Sequence, residues 1–133
     1  MPTPPPKPTE AELAILRVLW QLGPSTVREV HDHMADARSV AYTTTLKTLQ
    51  VMTAKGLTDR DDHRGQHLYR PRQAEADTLR RLVSDLLEQA FGGSTSKLVL
   101  QALATKPASP DELREIRKLL NQPPAPPKKR TRS

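Results

Sequence analysis

The sequence has no cysteine, which removes a disulfide framework, a thiolate nucleophile and every sulfur metal ligand at once. Aromatic residues are scarce, one Trp, one Phe and two Tyr, so a core has to be assembled from Leu, Val, Ile and Ala, which suits small packed helices. No run approaches the roughly eighteen apolar residues that span a bilayer, and no membrane association is expected. Met1 to Pro8 is Pro-rich and polar and lacks the apolar stretch of a signal peptide; a cytoplasmic location is expected. Also missing are a Gly-rich phosphate loop, a Ser–His–Asp set with supporting context and a pairing of buried carboxylates. At 133 residues there is little room for a catalytic cleft and its supports, so no enzyme and no cofactor are expected.

The histidines do not change that reading. His31 and His33, two apart, point to different helix faces. His63 and His67 lie across a hairpin beside Asp61 and Asp62, short of the four ligands in set geometry that a structural zinc needs. No metal site is expected.

What is present is positive charge, unevenly placed, and proline at both ends. The net charge is +6, yet residues 1–120 are close to balanced, and the tail carries Lys128, Lys129, Arg130 and Arg132 with no acid. Such a tail reads either as a solubilising extension or as a non-specific phosphate-binding arm. Pro2, Pro4, Pro5, Pro6 and Pro8 precede the foldable part and Pro123, Pro124, Pro126 and Pro127 follow it, favouring extended, solvated backbone. The organisation expected is a disordered segment 1–8, a first domain 9–73, a helical segment 74–122 and a disordered basic tail 123–133.

Between the prolines the periodicity predicts six helices and one hairpin. Thr9 with Glu12 makes a capping box for a first helix, with Leu13, Leu16 and Trp20 on one face and Gly23-Pro24 as its stop. Ser25 and Thr26 offer a cap for a second helix with Val27, Val30 and Met34. A third runs from about Val40 to Lys55 and ends at Gly56. Leu57–Arg60 and His67–Arg70 read as two short strands around the turn cluster Asp61–Gln66. A longer helix, Glu75–Phe91, carries Leu79, Leu82, Val83, Leu86, Leu87 and Phe91 in a continuous stripe. Gly92-Gly93 breaks it. A fifth helix with Leu98 and Leu103 follows a Ser94 cap, and a sixth with Leu113 and Ile116 follows Ser109-Pro110-Asp111-Glu112. The last three helices span fewer than about 50 residues, and so short a segment rarely folds alone. Their apolar stripes are expected to meet the same segment of a second chain, since symmetric dimers are the commonest oligomers.

Three helices and a hairpin in that order are the plan of a winged helix-turn-helix, mainly α with a small β-hairpin. At 100° per residue the third helix divides into two faces. Tyr42, Thr45, Leu49, Met52, Thr53 and Gly56 fall on one, and Thr43, Lys47, Gln50, Val51 and Ala54 on the other, with Thr44 beside them. The second face is small, able to hydrogen-bond and carries one flexible cation, which suits the major groove of DNA. No acid occurs between Asp36 and Asp59, whereas Arg38, Lys47 and Lys55 do and are expected at the DNA; a carboxylate there would oppose the phosphates. Arg64 beside Gly65 marks the tip of the wing and is an expected DNA contact, although Asp59, Asp61 and Asp62 share that segment.

The stretch Val40-Ala41-Tyr42-Thr43-Thr44-Thr45-Leu46-Lys47-Thr48-Leu49, with Met52 and Lys55-Gly56-Leu57, resembles the recognition helix of the penicillinase-repressor family, the BlaI/MecI/CopY type. Glu12-Leu13-Ala14-Ile15-Leu16 with Leu19-Trp20, Tyr69-Arg70-Pro71 and Phe91-Gly92-Gly93-Ser94 extend the resemblance over about residues 9–120. It implies a dimeric winged-helix repressor on a palindromic operator of double-stranded DNA, with Tyr42, Thr43, Thr44 and Lys47 at the DNA and Thr48 nearby. Family members that answer to β-lactams are cleaved between Asn and Phe downstream of a membrane sensor protease. Here Ala90 precedes Phe91, and an upstream sensor protease is left open. The Cys cluster of copper-responsive members is absent. Val51 stands where penicillinase repressors usually have Arg. Two other classes remain open at this level: a sequence-neutral architectural DNA-binding protein, and a winged helix used only for protein contacts.

Overall fold

The computed structural model describes residues 6–34 and 39–122. In order they form α1 (Glu10–Leu22), α2 (Val27–Asp32), α3 (Tyr42–Lys55), β1 (Thr58–His63), β2 (Gln66–Pro71), α4 (Glu75–Ala90), α5 (Thr95–Thr105) and α6 (Pro110–Asn121). The fold class is the expected one, mainly α with an antiparallel hairpin. Two compact units divide inside α4, the first ending at Asp85 and the second starting at Leu86.

Local chemistry sets the helix starts. The Thr9 hydroxyl accepts from the Glu12 amide at 3.2 Å, and the Thr9 amide donates to the Glu12 carboxylate at 2.9 Å, satisfying two donors that a helix start leaves orphaned. α2 opens on a second box of this kind, Thr26 with Glu29. The box matters because a six-residue helix is far too short to persist on its own propensity. Ser25, the other candidate cap, has a different task. Its amide donates to the Tyr69 carbonyl at 3.0 Å and its carbonyl accepts from the Tyr69 amide at 2.8 Å, a bridge that ties the entrance of α2 to the hairpin.

The core of the first unit lies where these elements converge. Ile15, Leu16, Val18 and Leu19 of α1, Val27 and Val30 of α2, Leu49 and Met52 of α3, and Leu57 and Tyr69 are all buried. Trp20, at the edge, is anchored by its indole N–H, which donates to the Gln73 carbonyl at 3.1 Å.

The hairpin is longer than the sequence suggests. β1 pairs with β2 from Thr58↔Pro71 through to His63↔Gln66, leaving a two-residue turn, Arg64-Gly65, with φ of 52° and 79°. Two consecutive positive φ values match the twist of the strands. The cluster Asp61–Gln66 is therefore mostly strand, not turn. Its charged residues resemble a loop in sequence, but cross-strand partners neutralise them. Arg70 reaches Asp61 at 2.8 Å, Arg72 reaches Asp59 at 2.5 Å, and Asp62 faces His67. Opposite charges across a ladder stabilise the pairing.

In the second unit, α5 and α6 have no buried residue. Leu98, Leu103, Leu113 and Ile116 are half-buried, while Leu119 and Leu120 are 71% and 76% exposed. α4 repeats the theme upstream, with Leu79, Val83 and Leu86 exposed at helical spacing. Among the described residues no helix is long and apolar enough to cross a membrane.

Candidate nucleic-acid interface

α3 divides as its periodicity predicts. Thr45, Leu49 and Met52 are buried, and Thr43, Thr44, Lys47, Gln50, Val51 and Ala54 are exposed. Thr43, Lys47, Gln50 and Ala54, at intervals of four, three and four residues, form one ridge. A hollow of about 470 Å³ lies between that ridge and the first turn of α1, lined by Thr9, Thr43, Thr44, Lys47 and Val51 among others. On the ridge's other flank, a hollow of about 360 Å³ runs between the start of α2, α3 and the wing.

The start of α3 is unusual for this chain. α1, α2, α5 and α6 each carry a Thr or Ser cap. α3 begins after Ala41 with no side-chain cap and no acid in its first turn. The missing cap costs about 1 kcal/mol of helix stability. In return, no carboxylate stands where a phosphate would approach the positive end of the helix.

Of the expected contact residues, Thr43, Thr44 and Lys47 share the open face. Tyr42 is half-buried at the rim, and Thr48 is half-buried with its hydroxyl donating to the Thr44 carbonyl at 2.8 Å. Arg64 stands exposed at the wing tip; neither it nor Lys47 has an ion-pair partner among the described residues. Arg38 lies outside the described residues.

Lys55, another of the expected contact residues, is engaged inside the fold. Its ammonium meets the buried Glu12 carboxylate at 2.8 Å, and its side chain is 34% exposed. The sequence expectation treated it as a free cation, because its partner lies 43 residues away. Burial pushes the Glu12 carboxyl up, but the Lys55 ammonium and the Thr9 amide and hydroxyl outweigh it and hold the group below its ordinary value of 4.5. A carboxylate lowered on folding stabilises the fold above that ordinary value, and the contribution is lost as pH falls through the folded-state value. Lys55→Met is expected to destabilise the first unit by about 1–2 kcal/mol at pH 7, less than a fully buried pair because water screens Lys55. Chemical unfolding of both proteins at pH 7 and through the acid range checks this: the difference should shrink as pH falls below the ordinary Glu12 value of 4.5 and vanish once the folded-state carboxyl is protonated.

Three residues not among the expected DNA contacts line the second hollow: Arg28, Arg60 and His67. The signal for Arg28 was the Thr26–Glu29 box, which fixes where α2 begins. The other two follow from register, since Arg60 faces Tyr69 across the ladder and Tyr69 is buried. Residues of that parity, Arg60 and His67, thus turn toward the ridge. Asp59 and Asp61 lie on the opposite face with Arg70 and Arg72. The Arg72 guanidinium holds the Asp59 carboxyl below its usual range against the opposing effect of burial, with a lesser contribution from Arg70. The acids of the wing are thus matched locally; Asp62, which faces Arg60 and His67, is the one on the ridge side.

A penicillinase-repressor family profile matches residues 8–122. Two strains of Mycobacterium tuberculosis, H37Rv and CDC 1551, have a transcriptional regulator BlaI that is 31% identical over 127 residues, covering 87% of this chain and 90% of the relative. A solved MarR family protein from Bacillus stearothermophilus is 20% identical with a TM-score of 0.45, covering 86% of this chain and 76% of that one; that score is too low for the two folds to be equated.

Proposed function

The chain belongs to the penicillinase-repressor family of winged-helix transcriptional regulators, and we propose that it acts as a homodimeric repressor, in the cytoplasm, on a palindromic operator in double-stranded DNA. The observation that carries this reading is the ridge of α3: solvent-facing, free of acids, and bearing Thr43, Lys47 and Gln50 in line. A helix admitted to the major groove reads base edges with such side chains. Tyr42, Thr43 and Thr44 of the first turn are the proposed reading set, with Thr48 beside them. Lys47 and Arg64 are the proposed phosphate contacts, and Arg28, Arg60 and His67 extend the basic surface across the second hollow. Lys55 is left out, as a brace between α1 and α3.

Dimerisation is proposed through Leu79, Leu82, Val83, Leu86, Leu87 and Phe91 of α4 and the turn after it, with Leu98, Leu103, Leu113 and Ile116 of α5 and α6. Its support is that Leu79, Val83 and Leu86 of α4 stand exposed at helical spacing in the single chain, and that α5 and α6 bury no residue.

Titration of selected operator and scrambled duplexes tests the proposal. Thr43→Ala is expected to relax sequence preference while leaving binding to the scrambled duplex unaltered. Equal affinity of the unaltered protein for both duplexes would instead indicate a sequence-neutral architectural protein, and no affinity for either a protein-interaction module. Val51→Arg restores the cation typical of penicillinase repressors at an exposed position of the interface. It is expected to tighten binding and steepen the dependence of log affinity on log salt by about one.

A further inference from the structure

The first turn of α3 has no cap of its own, yet it carries the residues proposed to read DNA. What holds it comes from α2. Arg28 and His31 lie three residues apart and share one face of that helix, as Tyr42 and Thr45 do on α3. The two pairs meet. The Arg28 guanidinium sits 4.3 Å from the centroid of the Tyr42 ring. The His31 ring meets the same tyrosine edge-to-face, with centroids 5.9 Å apart at 77°. His31 Nδ1 is hydrogen bonded to the Thr45 hydroxyl at 3.0 Å, and both residues are buried.

We infer that Arg28 and His31 are positioning residues for DNA reading, clamping Tyr42 and Thr45 so that the uncapped first turn of α3 is rigid before DNA arrives. This rests on the reading of α3 as the recognition helix. Short side chains such as Thr43 and Thr44 discriminate bases only if the backbone beneath them is fixed to within a fraction of an ångström. An Asp cap or a capping box with its Glu would supply the rigidity but set a carboxylate against the phosphates. Clamping from the side avoids this conflict. The clamp is itself well founded, because α2 is fixed at its start by the Thr26–Glu29 box and by the Ser25–Tyr69 bridge. Arg28 is also the one member with most of its side chain in water, and its ion partner among the described residues, Asp32, lies at 3.9 Å, the outer edge of ion-pairing range.

Amide hydrogen exchange of the full chain without DNA reads the clamp directly. Arg28→Ala and His31→Leu are expected to speed exchange at Thr44, Thr45 and Leu46 at least fivefold, with Leu49 and Met52 changing less than twofold. His31→Gln, which keeps a partner for the Thr45 hydroxyl, should restore the slow rates. Arg28→Lys, which keeps the charge but replaces the guanidinium over the Tyr42 ring with a compact ammonium, should not. The ratio of operator to scrambled affinity is expected to fall about tenfold in Arg28→Ala. Should His31→Leu fail to fold, the two Arg28 variants decide, since that side chain is largely exposed. Unchanged exchange at Thr44–Leu46, or acceleration that extends equally to Leu49 and Met52, would overturn the inference. Acceleration with an undiminished affinity ratio would overturn the positioning role. Lys47→Ala keeps the two readings apart: if it too leaves DNA affinity unchanged, the recognition-helix reading fails, and the exchange rates still decide the clamp.

Discussion

Leu86→Asp is expected to turn the protein into a monomer and to lower operator affinity by about 10²- to 10⁴-fold. Leu86 is 47% exposed in the single chain, so a carboxylate there keeps much of its hydration and the first unit should still unfold cooperatively. In a dimer built on the α4 stripe, the same carboxylate would be buried without a partner, which costs several kcal/mol. Two linked recognition helices gain affinity because the second one binds at high effective concentration, a gain of roughly 10²- to 10⁴-fold that a monomer forfeits. Sedimentation measures the first effect and duplex titration the second. A variant that still sediments as a dimer would remove α4 from the interface. A monomer with undiminished affinity would separate dimerisation from operator reading altogether.

The second large effect is at Lys47. Lys47→Glu replaces an unpaired cation in the centre of the ridge with a charge that opposes the phosphates. Affinity should fall about 10- to 100-fold at moderate salt, and the salt slope should lessen by about one to two, since each lost phosphate contact removes nearly one released counterion. Operator and scrambled duplex should suffer alike, because phosphates carry no sequence information. That pattern contrasts with Thr43→Ala, whose effect falls on sequence preference. Lys47 has no ion-pair partner among the described residues, so the fold should be indifferent to the change. A Lys47→Glu protein that binds as before would remove α3 from the interface.

Much of this could be read from the sequence because the signals were local. The Thr9–Glu12 and Ser109–Glu112 boxes fix helix starts within four residues, and the alternation of small polar and apolar positions separates the faces of α3. The contacts that escaped are long-range. Nothing near Lys55 announces that Glu12 will hold it, nor does Ser25 announce a backbone bridge to Tyr69. The hairpin misled for a related reason: Asp61, Asp62 and His63 look like a loop until Arg70 and His67 stand across from them. The Arg28–Tyr42–His31 stack was half visible, since the i, i+3 spacing is there on both helices, but which faces meet is decided by the packing of α2 on α3.

On the proposed function, a symmetric dimer reads a specific operator through α3. Selection of duplexes from a random pool by the full chain, repeated at several salt concentrations, tests it most directly. The expected result is enrichment of a palindrome whose half-sites lie about one helical turn apart, or a multiple of it, and loss of that enrichment in Leu86→Asp. Recovery of no sequence above background, with whatever binding there is vanishing as salt is raised, would contradict it.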